Sequence, residues 1–138
     1  MRRYLLDTNV ISEVRKRKPH GAVLVWLREL RSEQILLSAV TMGELQSGIE
    51  LIRRHDSQKA REIETWVDQL ESSYHVLPMD SACFRECGRL MGRRASHLFE
   101  NAMIAATAQV HDLIVATRNE SDFQQFGVPI FNPFKPGI

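Results

Sequence analysis

Residues 4–9, Tyr4-Leu5-Leu6-Asp7-Thr8-Asn9, are a three-residue apolar run that ends on a carboxylate and passes into helix-starting polar residues. A run this short between polar flanks reads as a buried strand handing over to a helix, with Asp7 at the junction. The same kind of run recurs at Ile35 to Ser38, His75 to Leu77, Leu113 to Ala116, and Ile130 to Phe131. Between the runs, apolar residues repeat at helical spacing: Val23, Trp26, Leu27 and Leu30, then Met42, Leu45, Ile49 and Ile52, then Ile63, Trp66, Val67 and Leu70. Strands alternating with helices predict an α/β fold with a parallel sheet covered on both faces, and such sheets bind ligands beyond the carboxyl ends of their strands.

Local signals refine this frame. Pro19 suits a first helical turn, and Asp80 ahead of Ser81-Ala82-Cys83 suits an N-cap. The stretch Phe99 to Val110 is apolar nearly all round, which predicts a buried helix. A chain of 138 residues falls within the size of one domain, so residues 1–138 read as a single unit with a core that needs no disulfide. Cys83 and Cys87, four apart in a helical stretch, read as packing on one helical face rather than half of a metal site. The charge is balanced, 18 basic against 17 acidic residues for a net +1, so nucleic-acid contact would have to come from local patches. The basic run Arg15-Lys16-Arg17-Lys18 and the pairs Arg53-Arg54 and Arg93-Arg94 are such patches, or solvated faces. No membrane-spanning run or signal-peptide core is present, because Asp7 interrupts the first apolar stretch, and a cytosolic protein is expected. Gly-rich phosphate loops are absent, and the scattered histidines offer no metal-ligand pair or triad partner.

Applied residue by residue, the sheet-edge rule gathers four distant positions. Asp7 follows the first strand, Glu44 lies in the first turn after the second, and Asp122 lies a few residues past the fourth. Asn101 opens the helix that runs back antiparallel to the fourth strand, so it returns to the same edge. Three carboxylates at one edge repel, and a divalent cation such as Mg²⁺ is the usual partner for such a group. Thr117 and Asn119, in the polar stretch after the fourth strand, are placed to orient a metal-bound water. Each residue also has a plainer reading. Asp7 caps a helix; Glu44 completes a capping box with Thr41; Asp122 belongs to an ordinary turn; Asn101 caps nearby backbone donors.

At these residues the chain resembles PIN-domain proteins of the VapC toxin type, in the branch that includes FitB-like proteins. The matching pieces are Leu5-Leu6-Asp7-Thr8-Asn9, Ser38-Ala39-Val40-Thr41-Met42-Gly43-Glu44-Leu45, Ala102-Met103-Ile104-Ala105-Ala106-Thr107-Ala108, and Ala116-Thr117-Arg118-Asn119 with Asp122-Phe123. Asn132-Pro133 also fits, and the blocks come in family order across nearly the whole chain. The resemblance implies a three-layer α/β/α sandwich around a mostly parallel five-stranded sheet, and a toxin of a type II toxin-antitoxin system that cuts RNA as a Mg²⁺- or Mn²⁺-dependent endoribonuclease. It implies a cognate VapB-type antitoxin, operator DNA bound only through that antitoxin, and a homodimer. Asp7, Glu44 and Asp122 match the family's acidic positions, and Thr117 and Asn119 match supporting polar residues.

Asn101 departs from the pattern, since an Asp usually precedes the Ala-Met-Ile-Ala-Ala segment. The change keeps shape and one carbonyl ligand but removes a charge, so metal affinity should fall and the nuclease should be weakened or silenced. Glu100 is adjacent, but one residue along a helix turns the side chain by about 100°, which makes it a poor substitute. The loss reads as inherited or as introduced to silence a toxic enzyme, and the second is preferred. Two rival readings remain: a PIN scaffold without catalysis that acts in an antitoxin-bound repressor complex, and a phosphatase with Asp7 as nucleophile, against which Asn9 stands where a second Asp is wanted.

Overall fold

A computed structural model describes residues 1–135. Five short strands, β1 (Tyr4–Leu6), β2 (Ile35–Ser38), β3 (His75–Leu77), β4 (Ile114–Ala116) and β5 (Ile130–Phe131), form one sheet in the order β3-β2-β1-β4-β5. Every pairing is parallel, with Tyr4 opposite both Ile35 and Ile114, so the sheet is wholly rather than mostly parallel. The connections run through α1 (Thr8–Arg15), α2 (Gly21–Glu29), α3 (Ala39–Arg53), α4 (Ser57–Ser73), α5 (Ser81–Met91), α6 (Phe99–His111) and α7 (Glu120–Gln124).

Alternation along β1 builds the three layers. Leu5 faces a core containing Cys87 of α5 and Ala102, Ile104 and Ala105 of α6, whereas Tyr4 and Leu6 face a core containing Val10 and Ile11 of α1, Val23 of α2 and Leu70 of α4. Successive side chains of a strand point to opposite faces, so one strand seeds both cores. A third cluster, Ile49, Ala60, Ile63 and Val67, closes the α3–α4 hairpin. Cys83 and Cys87 are free thiols buried in the helical layer, as packing requires.

Strand order reverses at the centre. The chain moves outward from β1 through β2 to β3, then returns to β4 on the other side of β1. The carboxyl ends of β1 and β4 therefore flank the switch point, where a parallel sheet leaves a crevice because its loops diverge.

Several local expectations change. Pro19 lies outside α2, whose N-cap is His20, with its imidazole accepting from the Ala22 N–H. Thr41 is not a cap: Ser38 caps α3, its hydroxyl accepting from Val40 N, so Glu44 sits in the second helical turn and the capping box does not form. The polar stretch after β4 is the single-turn helix α7 rather than an open turn, held down by fully buried Phe123. Asp80 does cap α5, its Oδ1 accepting from Cys83 N at 3.0 Å. Among the described residues no helix is long and apolar enough to cross a membrane.

Candidate active site

Asp7 extends the β1 ladder by one bond, its N–H donating to Ala116 O at 2.9 Å, and then turns the chain into α1. Its carboxylate is 6% exposed and fully engaged. Oδ1 accepts from Thr8 N at 2.9 Å, while Oδ2 accepts from Thr117 Oγ1 at 2.8 Å and from Asn9 Nδ2 at 3.1 Å. Asp7 thus does cap α1, but the cap uses only one oxygen. Burial pushes its carboxyl above the usual carboxylate range, the nearby Asp122 charge pushes the same way, and the three donors pull against both.

Thr117 joins the two central strand ends. Its hydroxyl has one proton and two lone pairs; the proton goes to Asp7, and the oxygen receives Asn119 N at 3.0 Å and Asn9 Nδ2 at 3.4 Å. Asn9 closes the circuit, since its Oδ1 accepts from Arg118 N at 3.2 Å. Thr8 and Asn9 therefore belong to the site although neither stands out by type. Their signal in the sequence is position alone, directly after the strand-ending Asp.

Glu44 reaches the site from α3. Its Oε1 accepts from Thr8 Oγ1 at 3.1 Å, beside buried Thr41, whose hydroxyl lies 3.3 Å from the same Thr8 oxygen. Its carboxyl is also raised, by burial first, then by the Glu100 charge, with Asp7 adding and Thr8 opposing. Glu100, expected only to be a poor substitute for a ligand at position 101, acts instead on the charge of Glu44. Helix α6 contacts α3, and a long exposed Glu in its first turn brings its charge to bear on Glu44.

The remaining positions are held less tightly. Asn101 is the third residue of α6, half-buried, with no side-chain hydrogen bond to the described residues; it caps nothing. Asp122 is the third residue of α7 and half-buried; its N–H donates to Asn119 O at 3.2 Å, and its charge is near enough to raise the Asp7 carboxyl. Asn119 is exposed and contributes its backbone N–H to Thr117 rather than its side chain.

Among the described residues no group of three or more His, Cys, Asp or Glu side chains forms a metal cage. The donor set still suits a hard cation, because Mg²⁺ is commonly held by one or two carboxylates with water and substrate phosphate completing the shell. Asp7 and the nearby Asp122 are two carboxylates of that kind, and a cation would relieve their repulsion. Larger apolar grooves elsewhere, such as the one lined by Leu6, Ile11, Leu27, Trp66 and Tyr74, carry no comparable chemistry.

Comparison with known proteins gives a consistent picture. A family model described as PIN domain matches residues 4–128. The protein named VapC ribonuclease Y4jK of Sinorhizobium fredii is 37% identical over 142 residues, an alignment that takes in 96% of this chain and 98% of the relative. Toxin FitB of Neisseria gonorrhoeae is 34% identical over 140 residues, with 94% of this chain and 97% of the relative covered. A solved structure of FitAB bound to an IR36 DNA fragment superposes with a TM-score of 0.82 at 30% identity, covering 98% of both chains.

Proposed function

This chain belongs to the PIN domain family, and on that premise we propose that it is the toxin of a type II toxin-antitoxin pair, a metal-dependent endoribonuclease weakened by Asn101. The observation that carries the reading is the Asp7 carboxylate: buried, destabilised by Asp122, yet fixed by three donors from two strand ends. A fold bears a buried carboxylate beside a like charge at a switch-point crevice when the two have work to do.

Asp7 and Asp122 would hold Mg²⁺ or Mn²⁺, with Asn101 and Glu44 beside them. The ion, when bound, supplies positive charge to the scissile phosphate and lowers the pKa of the attacking water. Thr117 and Asn9 keep Asp7 in one rotamer, and Thr8 does the same for Glu44. Asn101 leaves the site one negative charge short. At about 4 Å from a cation that charge is worth about 4 kcal/mol at an effective dielectric near 20, before desolvation is subtracted.

The partners follow from the relatives. A toxin named FitB and a FitAB complex on DNA support a cognate VapB-type antitoxin that holds this chain inactive and brings the operator contact, with the toxin as a homodimer. Restoring Asn101→Asp and assaying RNA cleavage with Mg²⁺ or Mn²⁺, with and without EDTA, tests the activity. Cleavage should appear, or strengthen, only in the presence of metal; a restored protein that leaves RNA intact would sink the proposal.

Asn101, at a position where the resemblance calls for Asp, favours a second reading, a PIN scaffold that has lost catalysis and acts only within the repressor complex. Expression in cells separates the two, because Asn101→Asp should gain toxicity if the machinery is otherwise whole and change nothing in a pure scaffold.

A further inference from the structure

Arg118 lies between Thr117 and Asn119, and its backbone N–H, its carbonyl and one face of its guanidinium each have a partner. Its N–H donates to Asn9 Oδ1 at 3.2 Å. Its carbonyl accepts from Asn132 Nδ2 at 3.5 Å. Its guanidinium lies face-on to Phe134, with Cζ 3.8 Å from the ring centroid, and its Nη2 is 3.5 Å from Glu13 Oε1. We infer that Arg118, clamped by Phe134 and Glu13, is a positioning residue that holds Asn9 and Thr117 against the Asp7 carboxylate.

The clamp is built from three separate parts of the chain. Glu13, buried on α1, also receives Lys16 Nζ and His20 N, each at 2.9 Å, so its carboxylate is neutralised without Arg118. The Phe134 stack is therefore the closer-fitting hold, since Cζ lies 3.8 Å over the ring whereas Glu13 offers only a 3.5 Å contact from an acid already satisfied. Phe134 is itself pinned: its ring is buried, its N–H donates to Asn132 Oδ1 at 2.9 Å, and the His20 ring meets it edge-on at 5.4 Å. Asn132 reaches back to Glu120 Oε2 at 3.1 Å and so ties the same segment to the helix that carries Asp122.

The consequence is a relay from Phe134 to Arg118, from the Arg118 peptide to Asn9, and from Asn9 to Asp7 Oδ2. The guanidinium is about half exposed, so a direct phosphate contact is the rival role, and kinetics separate the two. Its part in the reaction is to keep the Asp7 oxygens aimed, and small displacements of such groups lower turnover rather than affinity.

The inference rests on the reading of Asp7 as part of the site, so its test has two arms. In the first, ¹⁵N-labelled full-length protein is observed by NMR with no metal or RNA. Arg118→Lys and Phe134→Leu should move the Asn9 side-chain amide signals toward solvent-exposed values, Phe134→Tyr should restore them, and Arg89→Ala, which removes only a surface pair with Glu86, should leave them in place. Unmoved Asn9 signals in folded Arg118→Lys and Phe134→Leu overturn the relay. In the second arm, the same changes in the Asn101→Asp background should lower kcat about ten-fold with KM for RNA within about two-fold. A raised KM with unchanged kcat would identify a phosphate contact and also overturn the inference. If Asn101→Asp cleaves no RNA, the nuclease reading fails while the Asn9 signals still decide the relay.

Discussion

Thr117 Oγ1 donates to Asp7 Oδ2 at 2.8 Å across 110 positions of sequence, and both residues are buried. The bond joins the carboxyl ends of the two central strands, so it serves the fold and the site together. Thr117→Val keeps the shape and removes the donor, leaving a buried carboxylate with less support. The expected cost is about 1–3 kcal/mol in urea unfolding, with Thr117→Ser recovering most of it. A Val variant as stable as the parent would show that the bond carries no net energy.

Glu44 makes the opposite contribution. Its carboxyl is raised by burial and by the Glu100 and Asp7 charges, so the folded state binds its proton more tightly than the unfolded chain does. Stability from such a group is fully present below the ordinary value of 4.5 and is lost as pH rises through the folded value. At neutral pH, ionised Glu44 therefore destabilises the fold. Glu44→Gln keeps an Oε1 acceptor for Thr8 and removes the repulsion. Its Tm should rise by roughly 1–3 °C at pH 7.5 and match the parent at pH 4; a variant less stable at both pH values would refute the assignment.

Much of this arrangement is legible before any coordinates, because strand runs such as Tyr4 to Leu6 and the switch-point rule act at the level of whole elements. The parallel sheet puts Asp7 and Thr117 at one edge whatever their rotamers. What escapes depends on a single turn or a single side chain. Five residues of α7 carry too little periodicity to read as a helix, and the burial of Phe123 anchors them. The Ser38 cap displaces the Thr41 capping box because the helix begins at Ala39, a full turn earlier than that spacing suggests. Glu100 reaches Glu44 through helix packing that no local rule contains, and the Asn9 bridge depends on an Arg118 peptide far along the chain.

Phe123 shows how a core residue positions a charged one. It has no exposed surface and sits beside Asp122 on a helix too short to stand alone. Phe123→Ala should cost about 3–5 kcal/mol, while Phe123→Leu should cost less and keep the turn. If α7 orients Asp122, the Leu variant will weaken Mn²⁺ binding in the Asn101→Asp background more than its stability loss explains. Calorimetric titration of the folded variant checks this, and unchanged Mn²⁺ affinity would separate α7 packing from the site.

Metal binding itself should report the missing charge at position 101. A ligand that binds only the folded state raises stability by RT ln(1 + [L]/Kd), so thermal shift against Mn²⁺ concentration measures affinity without substrate. Asn101 supplies an uncharged oxygen at most, and the parent should shift only weakly at millimolar Mn²⁺. Asn101→Asp adds a carboxylate to a site where Asp7, Asp122, Glu44 and Glu100 already repel, so without metal its Tm should fall, most clearly above pH 5. With Mn²⁺ the order should reverse, because the ion converts that repulsion into ligand charge, and affinity should tighten by roughly 10- to 100-fold, well under the gross Coulomb figure once desolvation is taken out. Asp7→Asn in the same background should abolish the Mn²⁺ shift. A restored protein that gains no metal-dependent stability would mean that the acids meet at this edge for some reason other than holding a cation.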